Sequence, residues 1–125
     1  MAIGAAVAAP GRKVISLNGD GAGAFTLQSL WTMAREQLDI VTVVFANHAY
    51  RILDIELMRT RAGVPGPAAA KLVALDNPRM DWVSLAKGFG VSAVRCTTSE
   101  DFDGALAKAI ASPGPQFIEA VWNSA

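Results

Sequence analysis

Short apolar runs rich in β-branched residues alternate along this chain with segments that carry apolar residues at helical spacing. The runs are Lys13–Asn18 (KVISLN), Val41–Ala46 (VTVVFA), Val91–Cys96 (VSAVRC) and Gln116–Trp122 (QFIEAVW). Runs of this length and composition, bounded by Gly, Pro or Asn, predict strands. The second run is apolar on both faces except for Thr42, which is typical of a central parallel strand covered on both sides.

Helical patterns lie between the predicted strands. They are Leu27–Leu38, a segment that begins at Asn77-Pro78, and a segment opened by Thr98 and Asp101 at capping-box spacing. Strands that alternate with helices are joined by right-handed crossovers and form a parallel sheet. The sequence therefore predicts an α/β fold in a single domain, residues 1–125, with a Rossmann-like open parallel sheet and helices on both faces.

The stretch from Thr60 to Asn77 does not fit this alternation, because it contains AGVPGP at 62–67 and has no clear periodicity. A loop of that length in a compact domain usually has a function. We predict that it covers a ligand.

Composition excludes several classes of protein. Eleven Lys and Arg balance eleven Asp and Glu, whereas nucleic-acid binders usually carry a positive excess. One cysteine, Cys96, and one histidine, His48, argue against a zinc site and favour a hard, oxygen-bound metal. Since no apolar run reaches the ~18 residues of a membrane span, and Met1–Pro10 lacks a basic start, we predict a cytoplasmic protein without a membrane segment.

The first strand leads into the sequence Gly19-Asp20-Gly21-Ala22-Gly23-Ala24 and then into a helix. An Asp-Gly pair alone is an ordinary turn, and Gly19, Gly21 and Ala24 also satisfy a dinucleotide fingerprint. The fingerprint reading places the Asp20 carboxylate against a pyrophosphate, and it lacks the acidic residue expected after the second strand. NAD binding is therefore the weaker alternative.

A divalent cation turns the Asp20 carboxylate from an obstacle into a ligand, because Mg²⁺ can bridge a carboxylate and a diphosphate. Asn47 follows the next strand and can supply an amide oxygen, and a backbone carbonyl in the turn to Tyr50 is a possible third ligand. A helix that begins near Ala24 would aim its free N–H groups at the same anion. We expect these groups to meet at the carboxyl ends of adjacent strands.

The GDG sequence at Gly19–Gly21, with Asn47 27 residues beyond Asp20, resembles the signature of thiamine diphosphate-dependent enzymes. The chain is similar to acetolactate synthase large-subunit homologues and benzoylformate decarboxylases, also through DWVSLA at 81–86 and GPQFIE at 114–119. The resemblance implies thiamine diphosphate and Mg²⁺ as cofactors. Asp20, Asn47 and the carbonyl of Ala49 match the metal ligands. The full set of cofactor-binding positions that it implies is Gly19, Asp20, Gly21, Ala22, Asn47, Ala49 and Tyr50.

Two positions depart from the family pattern. Ala46 stands where the first asparagine of a pair is usual, and Ala22 stands where many members have serine. Since the metal-ligating asparagine is the second of the pair, Ala46 should spare coordination but remove a supporting hydrogen bond. Weaker cofactor affinity is the expected consequence.

Members of this family are several times longer, and their N-terminal domain carries a glutamate that activates the cofactor across a dimer interface. Nothing in the 125 residues corresponds to it, so the resemblance assigns no catalytic residue here and leaves open whether the chain is an enzyme. We expect a domain that is N-terminally truncated, inactive alone, and part of a 2-oxo acid decarboxylase or carboligase. Expected partners are a 2-oxo acid in the full-length enzyme, a homo-oligomer or the missing domain. A noncatalytic interaction module is the alternative.

Overall fold

The computed structural model describes residues 1–60, 63 and 66–122 and is built on one parallel sheet. The strands are β1 (Val14–Gly19), β2 (Ile40–Ala46), β3 (Ser92–Cys96) and β4 (Gln116–Val121). Their order is β1-β2-β4-β3, and all neighbours are parallel. All four predicted strands are confirmed, with ends displaced by no more than one residue.

Helices cover the sheet on both faces, which confirms the predicted fold class. They are α1 (Ala2–Ala8), α2 (Asp20–Ala24), α3 (Ser29–Arg35), α4 (Arg51–Arg59), α5 (Pro67–Val73), α6 (Trp82–Gly88) and α7 (Ser99–Ala111). Ala6, Leu30 and Trp82, from α1, α3 and α6, pack in one buried cluster with Val44 and Phe117 of the sheet. α7 packs on the opposite face against β2, β3 and β4. No helix in the described part of the chain has the length and apolar character needed to cross a bilayer.

The buried sequence of β2 explains its central position. Val41 and Val43 lie in the core beneath α7, whereas Ile40, Val44 and Ala46 lie in the core on the other face. These five side chains are at most 1% exposed. Burial on both faces is what a parallel strand between helical layers requires. Because β1 pairs with this buried strand up to Gly19, β2 positions the carboxyl end of β1.

The helix predicted at Leu27–Leu38 is shorter than expected, since α3 spans Ser29–Arg35. The helix expected near Ala24 begins earlier, because α2 starts at Asp20 directly after the strand. Turns that bond each N–H to the carbonyl three residues before it join α2 to α3. The Asp20 side chain accepts from Gly21 N, so it holds the start of α2 itself.

The prediction that α6 begins at Asn77-Pro78 is wrong. Its N-cap is Asp81, whose carboxylate accepts from Ser84 N at 3.3 Å and from Ser84 Oγ at 2.5 Å. The Ser84 hydroxyl, then its N–H, lowers the pKa of the Asp81 carboxyl. The cap predicted for α7 is confirmed, because Thr98 Oγ1 accepts from Asp101 N at 3.1 Å.

The expected loop at 60–77 is wrong in part, because Pro67–Val73 forms α5. Proline at the first helical position, followed by three alanines, accounts for this helix. Residues 61, 62, 64 and 65 of that loop lie outside the described residues. The chain after α5 returns to the site, where Ala74 bridges Ala49 in antiparallel fashion.

Candidate functional site

Two turns emerge side by side at the carboxyl edge of the sheet. Gly19, the last residue of β1, lies opposite Phe45 in the register with β2, which ends one residue later. The residues after each strand, Asp20–Gly23 and Asn47–Tyr50, therefore begin within one strand spacing of each other. This is the edge at which open α/β sheets bind ligands.

The Asp20 carboxylate joins these two turns. Its Oδ1 accepts from Gly21 N at 2.9 Å, and its Oδ2 accepts from His48 N at 2.7 Å. Asp20 is only 3% exposed. His48 adopts a left-handed conformation with φ of 58°, in which the chain turns sharply after Asn47. The carboxylate thus lies against the peptide that follows Asn47, as the spacing of the motif predicts.

Asn47 folds over the same turn. Its Oδ1 accepts from Ala49 N at 3.0 Å, which is the short-range bond that asparagine makes in turns. An amide oxygen has two lone pairs, so this bond leaves one of them for a metal. The structure therefore brings the Asp20 carboxylate to the three-residue turn that carries the other two predicted metal ligands, Asn47 and Ala49.

The main-chain amides of two predicted cofactor-binding positions have partners within the chain. Gly21 N donates to Asp20, and Tyr50 N donates to Val73 O at 2.8 Å. Gly19 and Ala22 lie beside them and are exposed. The structure therefore groups all seven predicted positions at one edge, but it uses the Gly21 and Tyr50 N–H groups to hold that edge together.

A cleft of about 660 Å³ opens beside the second turn. Its lining includes Asn47, His48 and Ala49 together with Asp76 and Arg79. In the described ranges 1–60, 63 and 66–122, no three His, Cys, Asp or Glu side chains are grouped to hold a metal. A cation here would thus take amide, carbonyl, ligand and water oxygens beside its one carboxylate, a donor set that suits Mg²⁺.

The surroundings of Asp20 fit a cation. Ion pairs in the part of the chain that the structure describes involve other carboxylates, and none includes Asp20. A carboxylate buried with two amide donors and no basic partner pays a desolvation cost that a bound divalent ion offsets. The residues present are therefore compatible with Mg²⁺ and, through it, with a diphosphate.

Sequence reasoning missed the role of the His48 main chain and of the segment after α5. His48 N binds Asp20, and His48 O accepts from Leu75 N at 2.8 Å. The identity of the His48 side chain does not predict these two bonds, because both use main-chain atoms. They form between segments that are distant in the sequence and are seen only in the structure.

Comparison with known proteins gives one family. Residues 1–120 match the model of the thiamine pyrophosphate enzyme, C-terminal TPP binding domain. A protein of Mycobacterium tuberculosis that is named as an acetolactate synthase large subunit is 51% identical over 121 residues, covering 96% of this chain and 24% of that relative. Benzoylformate decarboxylase of Pseudomonas aeruginosa is 36% identical over 118 residues, covering 94% of this chain and 21% of the enzyme.

Solved structures show the same fold. The thiamine diphosphate-dependent 4-hydroxybenzoylformate decarboxylase of Rhodococcus jostii RHA1 superimposes with a TM-score of 0.87 at 31% identity, over 99% of this chain and 22% of that one. The benzoylformate decarboxylase of Polynucleobacter necessarius gives a TM-score of 0.82 at 26% identity, over 98% and 22% of the two chains. This chain spans between a fifth and a quarter of the length of these relatives.

Proposed function

This chain belongs to the family of C-terminal TPP-binding domains of thiamine pyrophosphate enzymes, and on that premise we propose that it binds Mg²⁺ and the diphosphate of thiamine diphosphate where β1 and β2 end. The family membership confirms the resemblance found in the sequence. The observation that carries the proposal is the Asp20 carboxylate, which is buried, forms no ion pair among the described residues and accepts a hydrogen bond from His48 N. This hydrogen bond links the two turns.

We assign the metal to three oxygen donors: the Asp20 carboxylate, the Asn47 amide and the Ala49 carbonyl. The exposed residues Gly19 and Ala22 leave room for a diphosphate to approach the first turn. The dipole of α2 contributes little, because the helix has five residues, so the cation is the main source of attraction for the anion. Bound thiamine diphosphate supplies the nucleophilic carbon that attacks a 2-oxo acid, and the chain supplies the grip on its phosphate end.

We propose further that the chain is the cofactor-binding part of a 2-oxo acid decarboxylase or carboligase, as its relatives are named. The two rival hypotheses are not favoured. NAD binding lacks an acidic residue after β2, which ends in Ala46 and is followed by Asn47. A noncatalytic module gives no reason for a buried carboxylate at the edge of the sheet. The cytoplasmic location stays a prediction of the sequence.

Isothermal titration of the chain with thiamine diphosphate tests the cofactor assignment. We expect binding in the presence of Mg²⁺ and a loss of at least about tenfold in affinity when EDTA removes the metal, because anion and carboxylate then repel each other. Thiamine without its phosphates is the matched control. It should not bind in the presence of Mg²⁺ or in the presence of EDTA. Equal heats with and without Mg²⁺ would contradict the proposal.

We also propose that the chain assembles with a second copy through the outer side of β1. In the described part of the sheet β1 is an edge strand, and Ile15 and Leu17 on it are 47% and 66% exposed. An edge without charge or proline is a template for another strand, and two copies of one edge pair across a twofold axis.

Light scattering after size exclusion is expected to give a multiple of the 13.1 kDa chain mass. Leu17→Lys places a charge on the β1 edge and should shift the chain to the monomer. Leu72→Lys, at an apolar position on α5 that is 80% exposed, is the control and should keep the assembled mass. A monomer at all concentrations of the wild type would refute assembly.

A further inference from the structure

The ring of Tyr50 packs directly on the backbone of Gly21. A Cβ placed on Gly21 would lie 2.5 Å from Tyr50 Cε1 and 2.6 Å from Cδ1. Real Cβ atoms do not come this close to a carbon, so the contact exists only because residue 21 has no side chain. The aromatic ring of the second turn thus rests on the main chain of the first.

The main chain of Tyr50 is itself held from two sides. Its N–H donates to Val73 O at 2.8 Å, and its carbonyl accepts from Leu53 N at 2.9 Å at the start of α4. Its neighbours add the bond from Leu75 N to His48 O and the bridge between Ala49 and Ala74. The ring therefore projects from a fixed segment, and its position on Gly21 follows from that segment.

This contact runs parallel to the only hydrogen bond described between the same two turns. The Asp20 carboxylate reaches His48 N, while the ring of Tyr50, two residues later, reaches Gly21, one residue after Asp20. The hydrogen bond fixes one distance between the two turns, from Asp20 Oδ2 to His48 N. A second contact, one residue after Asp20 and two residues after His48, limits rotation of the first turn about that bond and so holds the carboxylate relative to Asn47.

We propose that the side chain of Tyr50 is a positioning residue for the metal site, holding Asp20 in place before Mg²⁺ arrives. The inference rests on the proposed cofactor function and assigns to this ring a role separate from that of the Tyr50 main chain. The ring acts through Gly21 and not on the metal, so the phenol oxygen is dispensable. What matters is the flat carbon surface.

The test measures the Mg²⁺ concentration that half-saturates thiamine diphosphate binding in Tyr50→Ala and Tyr50→Phe. We expect Tyr50→Ala to raise it about tenfold, the scale on which loss of a group that orients a metal ligand acts, with the number of sites per chain unchanged. Tyr50→Phe keeps the ring and should remain within about twofold of wild type. A general folding defect would lower the number of sites instead, and that result would overturn the inference.

Gly21→Ala provides a second, independent arm. Its new Cβ meets the ring in the wild-type background, whereas the Tyr50→Ala background lacks the three ring atoms that lie nearest to that Cβ. We expect a loss of about tenfold in the first background and less than about threefold in the second, since residues in contact have non-additive effects. Equal losses in both would mean that Gly21 meets the ligand directly, which overturns the role of the ring. Absence of binding by the wild type would refute the proposed function itself.

Discussion

Asp20→Ala is expected to abolish Mg²⁺-dependent binding of thiamine diphosphate, lowering the affinity by at least about 100-fold. Loss of a residue that merely orients a metal ligand already costs about 10- to 100-fold, and Asp20 is assigned as a ligand. It is the only charged donor in the set formed with Asn47 and Ala49. Titration calorimetry at saturating Mg²⁺ measures the effect directly.

The alanine variant also removes two hydrogen bonds, because Gly21 N and His48 N both donate to this carboxylate. Unpaired buried donors cost about 1–3 kcal/mol each, so part of the chain population could unfold. Asp20→Asn loses the charge but keeps one of the two hydrogen bonds, since its amide oxygen can accept from one N–H group while its NH2 group faces the other. We expect it to remain folded by circular dichroism and to lose binding.

Asp103→Asn is the matched control, because this exposed carboxylate on α7 belongs to neither turn and does not line the cleft. It should bind as the wild type does. Wild-type affinity in Asp20→Asn, at the same Mg²⁺ concentration, would show that the charge of Asp20 does not hold the metal. The cofactor site would then have to lie elsewhere on the chain.

Arg95→Met is expected to lower the free energy of unfolding by about 2–3 kcal/mol, although Arg95 is far from the proposed cofactor site. Arg95 Nε donates to Glu119 Oε2 at 2.7 Å, and Glu119 on β4 is 1% exposed. That hydrogen bond raises the pKa of the Arg95 guanidinium. Removing one partner leaves a buried charge without compensation, which costs about 3–5 kcal/mol when both partners are buried. The value here is lower because the Arg95 side chain is 45% exposed.

A double variant identifies the cause of this loss. Adding Glu119→Gln to Arg95→Met removes the buried charge, so it should recover part of the free energy of unfolding at neutral pH. Urea unfolding followed by circular dichroism measures this recovery.

Arg59→Met is the control for this pair. Arg59 also forms an ion pair, with Glu56 at 2.8 Å, but its side chain is 74% exposed. Exposed pairs contribute little, so we expect a change within about 0.5 kcal/mol. An equally small change in Arg95→Met would show that the carboxylate of Glu119 is stable without its guanidinium partner.

The sheet was predictable because its signals are local and strong. Each strand is a run of apolar, β-branched residues between breakers. The apolar residues on both faces of β2 indicate its central position. The cap of α7 was predictable for the same reason, since Thr98 and Asp101 lie three residues apart and bond each other. The start of α6 was predicted wrongly at Asn77-Pro78, because the helix begins where the Asp81 side chain bonds Ser84.

The start of α2 and the middle of the chain depend on contacts that sequence reasoning does not reach. Glycine-rich segments have weak helix propensity, yet α2 starts directly after β1, with the Asp20 side chain bonded to Gly21 N in its first turn. α5 and the residues after it are fixed by bonds from Leu75 to His48 and from Tyr50 to Val73. These partners lie more than 20 residues apart, and no periodicity links them.

The candidate site was also predictable only in part. The sequence predicted that Asp20 and Asn47 lie close together, because parallel strands bring their carboxyl ends to one edge. The contact of Tyr50 with Gly21 was not, since it depends on the path of the chain after β2. A sequence does not show why glycine occupies position 21. The structure does, because the Tyr50 ring lies where a Cβ at that position would be.

The order of the strands has a consequence for biosynthesis. β4 comes last along the chain, yet it lies inside the sheet, between β2 and β3. A ribosome therefore releases β1, β2 and β3 before the strand that joins them exists, and β3 has no neighbour until Gln116–Val121 emerges. A premature stop codon at Pro115 would leave β2 and β3 as two open edges, which are sites of aggregation. The core of the sheet is therefore completed only after Gln116–Val121 has been synthesised.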